Sequence, residues 1–363
     1  MIFWLGLMAL GLALALTALA TPLSRRVAGR FGMLDVPGRH KTHARPVPLL
    51  GGAAVFLPVM GLTLLAAALC RYWAATGLPR WLPEAISLHV HGAAEQTPAM
   101  LGILLGALGL HVVGILDDAR NLGPWLKLLV EAAVCTCVVL FCDVRILEAL
   151  GQPTSGIVTV LWLMTITNAF NFLDNMDGLS AGVAAICCAA MIGVAAGMGQ
   201  IFVPIWLAIL LGSLLGYLLY NFPPASTFMG DAGSLVIGFL LGVMSCRVTY
   251  VRPGETYYTF GMFVPLVLMA VPLYDTVSVL TLRLRDRRNP MVGDRRHFSH
   301  RLVRRGMSQR TAVLTIYLCT AVSAISSVIL MLVDSTGPAV LVFVQTLAVL
   351  GLVALLEMGS RQP

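Results

Sequence analysis

Apolar residues in this chain run on without interruption for roughly 18 residues or more at a time, from one end of the sequence to the other. A run of that length can cross a bilayer as a helix. Lipid offers no hydrogen-bond partners, so a spanning segment must satisfy its own backbone as a helix or close into a barrel. Barrel strands alternate apolar and polar positions, and these runs do not. The pattern predicts an all-α, polytopic integral membrane protein of about eleven spans. They lie near 2–21, 49–70, 98–116, 126–142, 155–170, 179–197, 201–219, 233–250, 259–282, 310–332 and 337–356. Residues 1–363 read as a single membrane-embedded domain, and 71–97 has room for a small surface helix.

Composition agrees: 58% of residues are hydrophobic and 11% charged, against roughly a quarter charged in a soluble domain. The net charge is +7, and its distribution orients the chain. With the N-terminus outside, only Arg71, Arg80, Arg145, Arg247 and Arg252 of the 24 lysines and arginines fall in outer loops. The rest lie in or at the edge of inner segments, Lys127 among them, as the positive-inside rule requires. The basic residues are thus explained by topology, and no nucleic-acid partner is expected. The run Met1 to Ala20 lacks a basic n-region, and Arg25 and Arg26 follow it, so it reads as a first span rather than a signal peptide. The eight cysteines lie in or near apolar runs without paired CxxC motifs and read as small hydrophobes.

This orientation gathers the unusual polar residues on the inner side. Asp117 and Asp118 follow an apolar span directly; two adjacent carboxylates repel when ionised, which a divalent cation or a base would relieve. Solvated loop carboxylates are the structural alternative. Asn168, Asn171, Asp174 and Asp177 recur every third residue, so consecutive members would be neighbours on a helix while the row winds around it. Asn171 and Asp174 would share one ligand and Asp177 face another part of it; the alternative is a capped helix end. In the stretch Tyr220 to Ser234, Asp231 stands between Gly230 and Gly233, which allow backbone to approach a ligand closely. Asp231 and Ser234 would also cap the next helix, whose N-terminus favours anions such as phosphate. Magnesium takes a few carboxylates plus phosphate oxygens, a preference Asp231, Asn171 and a diphosphate would meet. His297 and His300, three apart in the basic last loop, point to phosphate contacts. In the first inner loop, Arg39 to Pro48, phosphate binding and topogenic charge are both open for any one residue. Carboxylates for a metal, cations for phosphates and glycines for close approach, all on one face, suit phosphoryl transfer, where positioning and electrostatics dominate. A secondary transporter is the other class, although its carboxylates would be expected near the midplane.

Taken together, Asp117-Asp118, Asn171 to Gly178, Asn221 to Ser234 and the His297/His300 loop resemble the polyprenyl-phosphate N-acetylhexosamine-1-phosphate transferases, glycosyltransferase family 4. The likeness spans most of the chain, in the family's order and with its eleven-span layout. It implies transfer of a sugar-1-phosphate from a UDP-N-acetylhexosamine to undecaprenyl or another polyprenyl phosphate, with release of UMP. That reaction is a first membrane step of envelope polysaccharide synthesis, on the cytoplasmic face of the inner (plasma) membrane. It uses Mg2+, with Mn2+ as a substitute, and the resemblance allows a homodimer. By position, Asn171 and Asp231 resemble the family's metal ligands. Asp117 resembles the aspartate proposed to deprotonate the lipid phosphate, and Asp118 and Asp174 resemble neighbouring essential carboxylates. Asp177, Asn221 and Phe228 match the uridine end, while Lys41, His297 and His300 would contact phosphates or substrate. Ser299 departs from the family by standing where a histidine is common. The residues flanking the histidines look more like the GlcNAc-1-phosphate branch than the MurNAc-pentapeptide branch.

Overall fold

The computed structural model of the protein describes residues 2–36, 46–250, 256–287, 296–333 and 335–358. Almost all of it is helical: α1 (Ile2–Phe31), α2 (Gly51–Thr76), α3 (Glu84–Glu95), α4 (Thr97–Arg120), α5 (Pro124–Phe141), α6 (Gln152–Leu173), α7 (Leu179–Gly197), α8 (Phe202–Asn221), α9 (Asp231–Arg247), α10 (Val264–Leu268), α11 (Ala270–Arg285), α12 (Phe298–Arg304), α13 (Gln309–Met331) and α14 (Thr336–Met358). A short antiparallel pair, β1 (Leu34–Asp35) and β2 (Val47–Pro48), registers Leu34 against Pro48. The chain is a multi-pass membrane protein. Among the described residues, α1, α2, α4 to α8, α13 and α14 are each long and apolar enough to cross a bilayer.

Three expected spans differ in detail. The first helix extends past residue 21 to Phe31, so Arg25, Arg26 and Arg30 are helical rather than in a loop. The ninth span is broken: Phe260–Leu268 and Ala270–Arg285 meet at 63°. Pro272 lacks an N–H for the Leu268 carbonyl four residues back, and such a loss kinks a helix. The Cys187 thiol reaches that carbonyl instead, at 3.9 Å. The fourth helix continues through Asp117 and Asp118 to Arg120, so the acidic pair occupies a last helical turn and not a loop. The 71–97 segment does carry a helix, α3.

The architecture is organised around α9. A helix apolar on every side belongs in an interior, and every residue from Ala232 to Ser245 is buried. Its neighbours include α2, α4, α6 and α7. Small residues permit the close approach, as is usual between membrane helices. A Cβ on Gly52 of α2 would lie 2.5 Å from the Gly233 Cα, and one on Gly238 would lie 2.7 Å from the Thr167 Cα of α6. By contrast, α1 leaves Phe3, Trp4, Met8 and Leu19 exposed, the expected face toward lipid.

Candidate active site

At one end of the bundle, the C-terminal ends of α4, α6 and α8 meet the N-terminal ends of α5 and α9. They line a cavity of about 680 Å3. Asp117, Asp118, Asn171, Asp174, Asp177, Asn221, Phe228, Asp231, His297 and His300 all border it. Ten of the eleven expected site residues are therefore brought together. The eleventh, Lys41, lies outside the described residues.

Asp231 is the hub. Its Oδ1 accepts a hydrogen bond from Asn171 Nδ2 at 2.8 Å, and its Oδ2 is held in a short ion pair by the Lys127 ammonium. Lys127 Nζ also lies 3.5 Å from Asp117 Oδ2. Leu122 N–H donates to Asp117 Oδ1 at 2.7 Å. Asn171 further donates to Ser234 Oγ at 2.9 Å. With its amide nitrogen so committed, the Asn171 carbonyl oxygen is the atom left for a cation or a substrate.

The start of α9 differs from the sequence expectation in two respects. Gly230 is the N-cap and has no side chain of its own to cap the helix; Ser234 lies inside the helix and donates back to the Gly230 carbonyl. The first amides already have an anion, because Asp231 N–H and Ala232 N–H donate to the Asp118 carboxylate at 3.0 and 3.3 Å. A carboxylate there is favoured by about 0.3–2 kcal/mol. The two glycines serve this packing. Gly230 has φ +67°, and a Cβ on it would lie 2.9 Å from Asp118 Cγ, while Gly233 packs against Gly52.

The expected helical row of asparagines and aspartates breaks at Leu173, where α6 ends. Asn168 and Asn171 remain on the helix, and Asp174 and Asp177 lie in the turn beyond. Asp177 Oδ2 accepts from Ala225 N–H at 2.9 Å. Asn221, buried, accepts from Gly178 N–H at 3.0 Å and donates to the Thr227 carbonyl at 2.9 Å. These bonds join the turn after α6 to the loop before α9. Ser299 also ties that turn down, donating to Asn175 Oδ1 at 2.6 Å. This gives a structural use to the position where the resembling family commonly has histidine.

Burial raises the Asp174 carboxyl well above its ordinary value of 3.8, and the charges of Asp231, Asp118 and Asp177 push it further in the same direction. A carboxyl raised in the folded state binds a proton more readily there than when unfolded. Its contribution favours the fold at low pH and is lost as pH rises from the ordinary value through the folded one. Asp174→Asn is accordingly expected to raise the melting temperature of metal-free protein in detergent at neutral pH, with the gain vanishing near pH 4. Equal melting temperatures at both pH values would refute the assignment.

His297 is the N-cap residue of α12, and its Nδ1 is 2.7 Å from Asp275 Oδ2. Asp275, buried in α11, also accepts from Phe298 N–H at 2.9 Å. This contact orients the imidazole through Nδ1, and Nε2 is the other ring nitrogen. Arg283, a cavity-lining residue, stacks over Phe172 with Cζ 5.4 Å from the ring centre. Sequence reasoning missed Asp275, Arg283 and the role of Lys127. Asp275 did carry a signal, since an acid within an apolar span is a functional candidate by default. Lys127 was hidden because a lysine beside a span is usually topogenic.

A profile of glycosyl transferase family 4 matches residues 100–249. A probable undecaprenyl-phosphate N-acetylglucosaminyl 1-phosphate transferase of Bacillus subtilis strain 168 is 31% identical, over 85% of this chain and 80% of that protein. A decaprenyl-phosphate N-acetylglucosaminephosphotransferase of Mycolicibacterium smegmatis is 30% identical, over 97% and 88%. An undecaprenyl-phosphate alpha-N-acetylglucosaminyl 1-phosphate transferase of Escherichia coli K12 is 28% identical, over 85% and 79%.

Proposed function

Since the chain belongs to glycosyl transferase family 4, we propose that it transfers GlcNAc-1-phosphate from a UDP-sugar to a polyprenyl phosphate such as undecaprenyl phosphate, releasing UMP. The observation that carries this reading is the meeting of Asp117, Asp231, Asn171 and Lys127 in one cavity at the end of an apolar bundle. A polyprenyl tail can stay in lipid there while its phosphate reaches the polar groups. The related proteins named for GlcNAc-1-phosphate transfer support that sugar. The positive-inside bias supports a cytoplasmic face for the cavity, where a nucleotide sugar is made.

A divalent cation fits the residues present. Asp231 and the Asn171 carbonyl are hard oxygen donors, and the Lys127 ammonium on Asp231 marks a place that favours positive charge. Among the described residues no three acidic, histidine or cysteine side chains form a complete metal cage. That suits magnesium, which keeps water and takes substrate phosphate oxygens. When bound, it would neutralise charge on the diphosphate during transfer. Asp117 serves as the base for the lipid phosphate. Asp118 holds the first turn of α9, and with it Asp231, in position. Asp174 adds a further carboxyl group to the cavity wall. Asp177, Asn221 and Phe228 shape the uridine end, while His297 and His300 face the phosphates. Lys41 is assigned to phosphate from the sequence alone.

The test is UMP release by purified protein given UDP-GlcNAc, magnesium and undecaprenyl phosphate, alongside a panel of other UDP-N-acetylhexosamines. No UMP with any of them would overturn the proposal. Asp275→Asn should lower the rate about 10- to 100-fold, the usual cost of losing a residue that orients a functional histidine. A rate within twofold of wild type would remove His297 from the mechanism.

A further inference from the structure

One buried group near the site has no job in the mechanism above. Glu131, on α5, is 0% exposed. Its Oε2 accepts a short hydrogen bond from Asn168 Nδ2, which also donates to the Met164 carbonyl at 2.9 Å. Its Oε1 has no hydrogen-bond partner among the described residues. A buried carboxylate oxygen left unpaired is costly, so its retention needs a cause. Four residues earlier on the same helix stands Lys127, and residues so spaced are neighbours on a helix surface. The two side chains interact electrostatically. In the structure, however, the Lys127 ammonium is drawn to Asp231 and Asp117.

Lys127 thus occupies an oxygen of the residue that a divalent cation would need. Its flexible four-carbon stem allows the ammonium to move while its helix stays fixed. We propose that Glu131 is a positioning residue that receives Lys127: when a divalent cation takes Asp231, the ammonium moves from Asp231 Oδ2 to the unpaired Glu131 Oε1. This inference rests on the reading of Asp231 as a metal ligand. Two cations cannot share one carboxylate oxygen without repulsion, and Lys127 cannot leave for an apolar helix surface without losing its counter-charge. Glu131 supplies that counter-charge one helical turn away. Before the cation arrives, the ammonium keeps Asp231 and Asp117 from repelling one another, and afterwards the cation takes over that role while Glu131 holds the ammonium.

The experiment measures Mn2+ binding to detergent-purified protein by electron paramagnetic resonance, with and without UMP and without turnover. It compares wild type, Asp231→Ala, Lys127→Met, Glu131→Gln and the Lys127→Met/Glu131→Gln double variant. Glutamine keeps the shape of Glu131 and can still accept from Asn168. Glu131→Gln is expected to weaken Mn2+ binding about 10-fold where Lys127 is present and less than threefold where it is methionine. Lys127→Met alone should tighten binding. Equal weakening in both backgrounds, or no change in either, overturns the exchange. Wild-type protein showing no binding that Asp231→Ala removes would instead overturn the metal reading, and the exchange with it. Should Glu131→Gln fail to fold, Glu131→Asp retracts the carboxylate by one methylene and must show the same dependence on Lys127.

Discussion

Asp231→Ala is expected to cut UMP release by about 10³-fold while the protein still folds and inserts. Removing one preorganised electrostatic group from an active site typically costs 10²- to 10³-fold in rate. Asp231 sits at the upper end because three groups depend on it. It holds Asn171 at 2.8 Å, anchors Lys127 and begins the helix that α2, α4 and α6 enclose. Folding should survive, since Lys127 keeps Asp117 at 3.5 Å and the α9 amides keep Asp118. Asp231→Asn separates charge from shape. It preserves volume and polarity, yet should lose nearly as much activity. If it keeps more than a tenth of the wild-type rate, the carboxylate charge is not what the reaction uses.

Gly114→Ala is expected to lower activity about 100-fold with no change to any polar residue. A Cβ there would lie 2.5 Å from the Asp231 carbonyl carbon, and the other near atoms are Ala232 backbone. Backbone cannot rotate aside as a side chain can, so α4 and α9 must part. Their separation lengthens the Asp118 bonds to the Asp231 and Ala232 amides and moves Asp117 away from Lys127. A misplacement of about 1 Å in catalytic geometry can cost 10²-fold. Overpacking of this kind also destabilises by about 1–3 kcal/mol, visible as a lower melting temperature in detergent. Gly109→Ala on the same helix is the control, because its Cβ would meet only Val134 Cγ2 at 3.7 Å, an ordinary contact. Wild-type turnover in Gly114→Ala would show that the α4–α9 spacing does not set the rate.

How legible the protein was in its sequence depended on the range of the forces involved. The spans were readable because hydropathy is a local sum: each predicted segment holds a helix. The bend at Met269 was not, since it needs Pro272 together with a thiol from α7 to satisfy the freed carbonyl. Asp117, Asn171 and Asp231 could be nominated one by one as polar residues at the ends of apolar runs. Their meeting could not be derived from spacing, because they lie on three helices. The row from Asn168 to Asp177 failed as a helix for a related reason. Its last members are held by Ala225 and by the Ser299–Asn175 contact, both distant in sequence. The glycines of Gly230-Asp231-Ala232-Gly233 invited a ligand reading because a missing side chain looks the same whether a phosphate or another helix fills the space.

The enclosure of α9 also has a consequence for how the chain is made. The helices that surround it, α2, α4, α6 and α7, all precede it in the sequence. A ribosome therefore delivers the walls before the element they enclose. Until residue 231 emerges, the backbone at Gly52, Gly114 and Thr167 borders a slot with no helix in it. When α9 enters, Asp118 is already waiting for its first two amides. Assembly around α9 thus has a direction set by translation, and Arg283, His297 and His300, which complete the cavity lining, arrive only after Asp231 is in place.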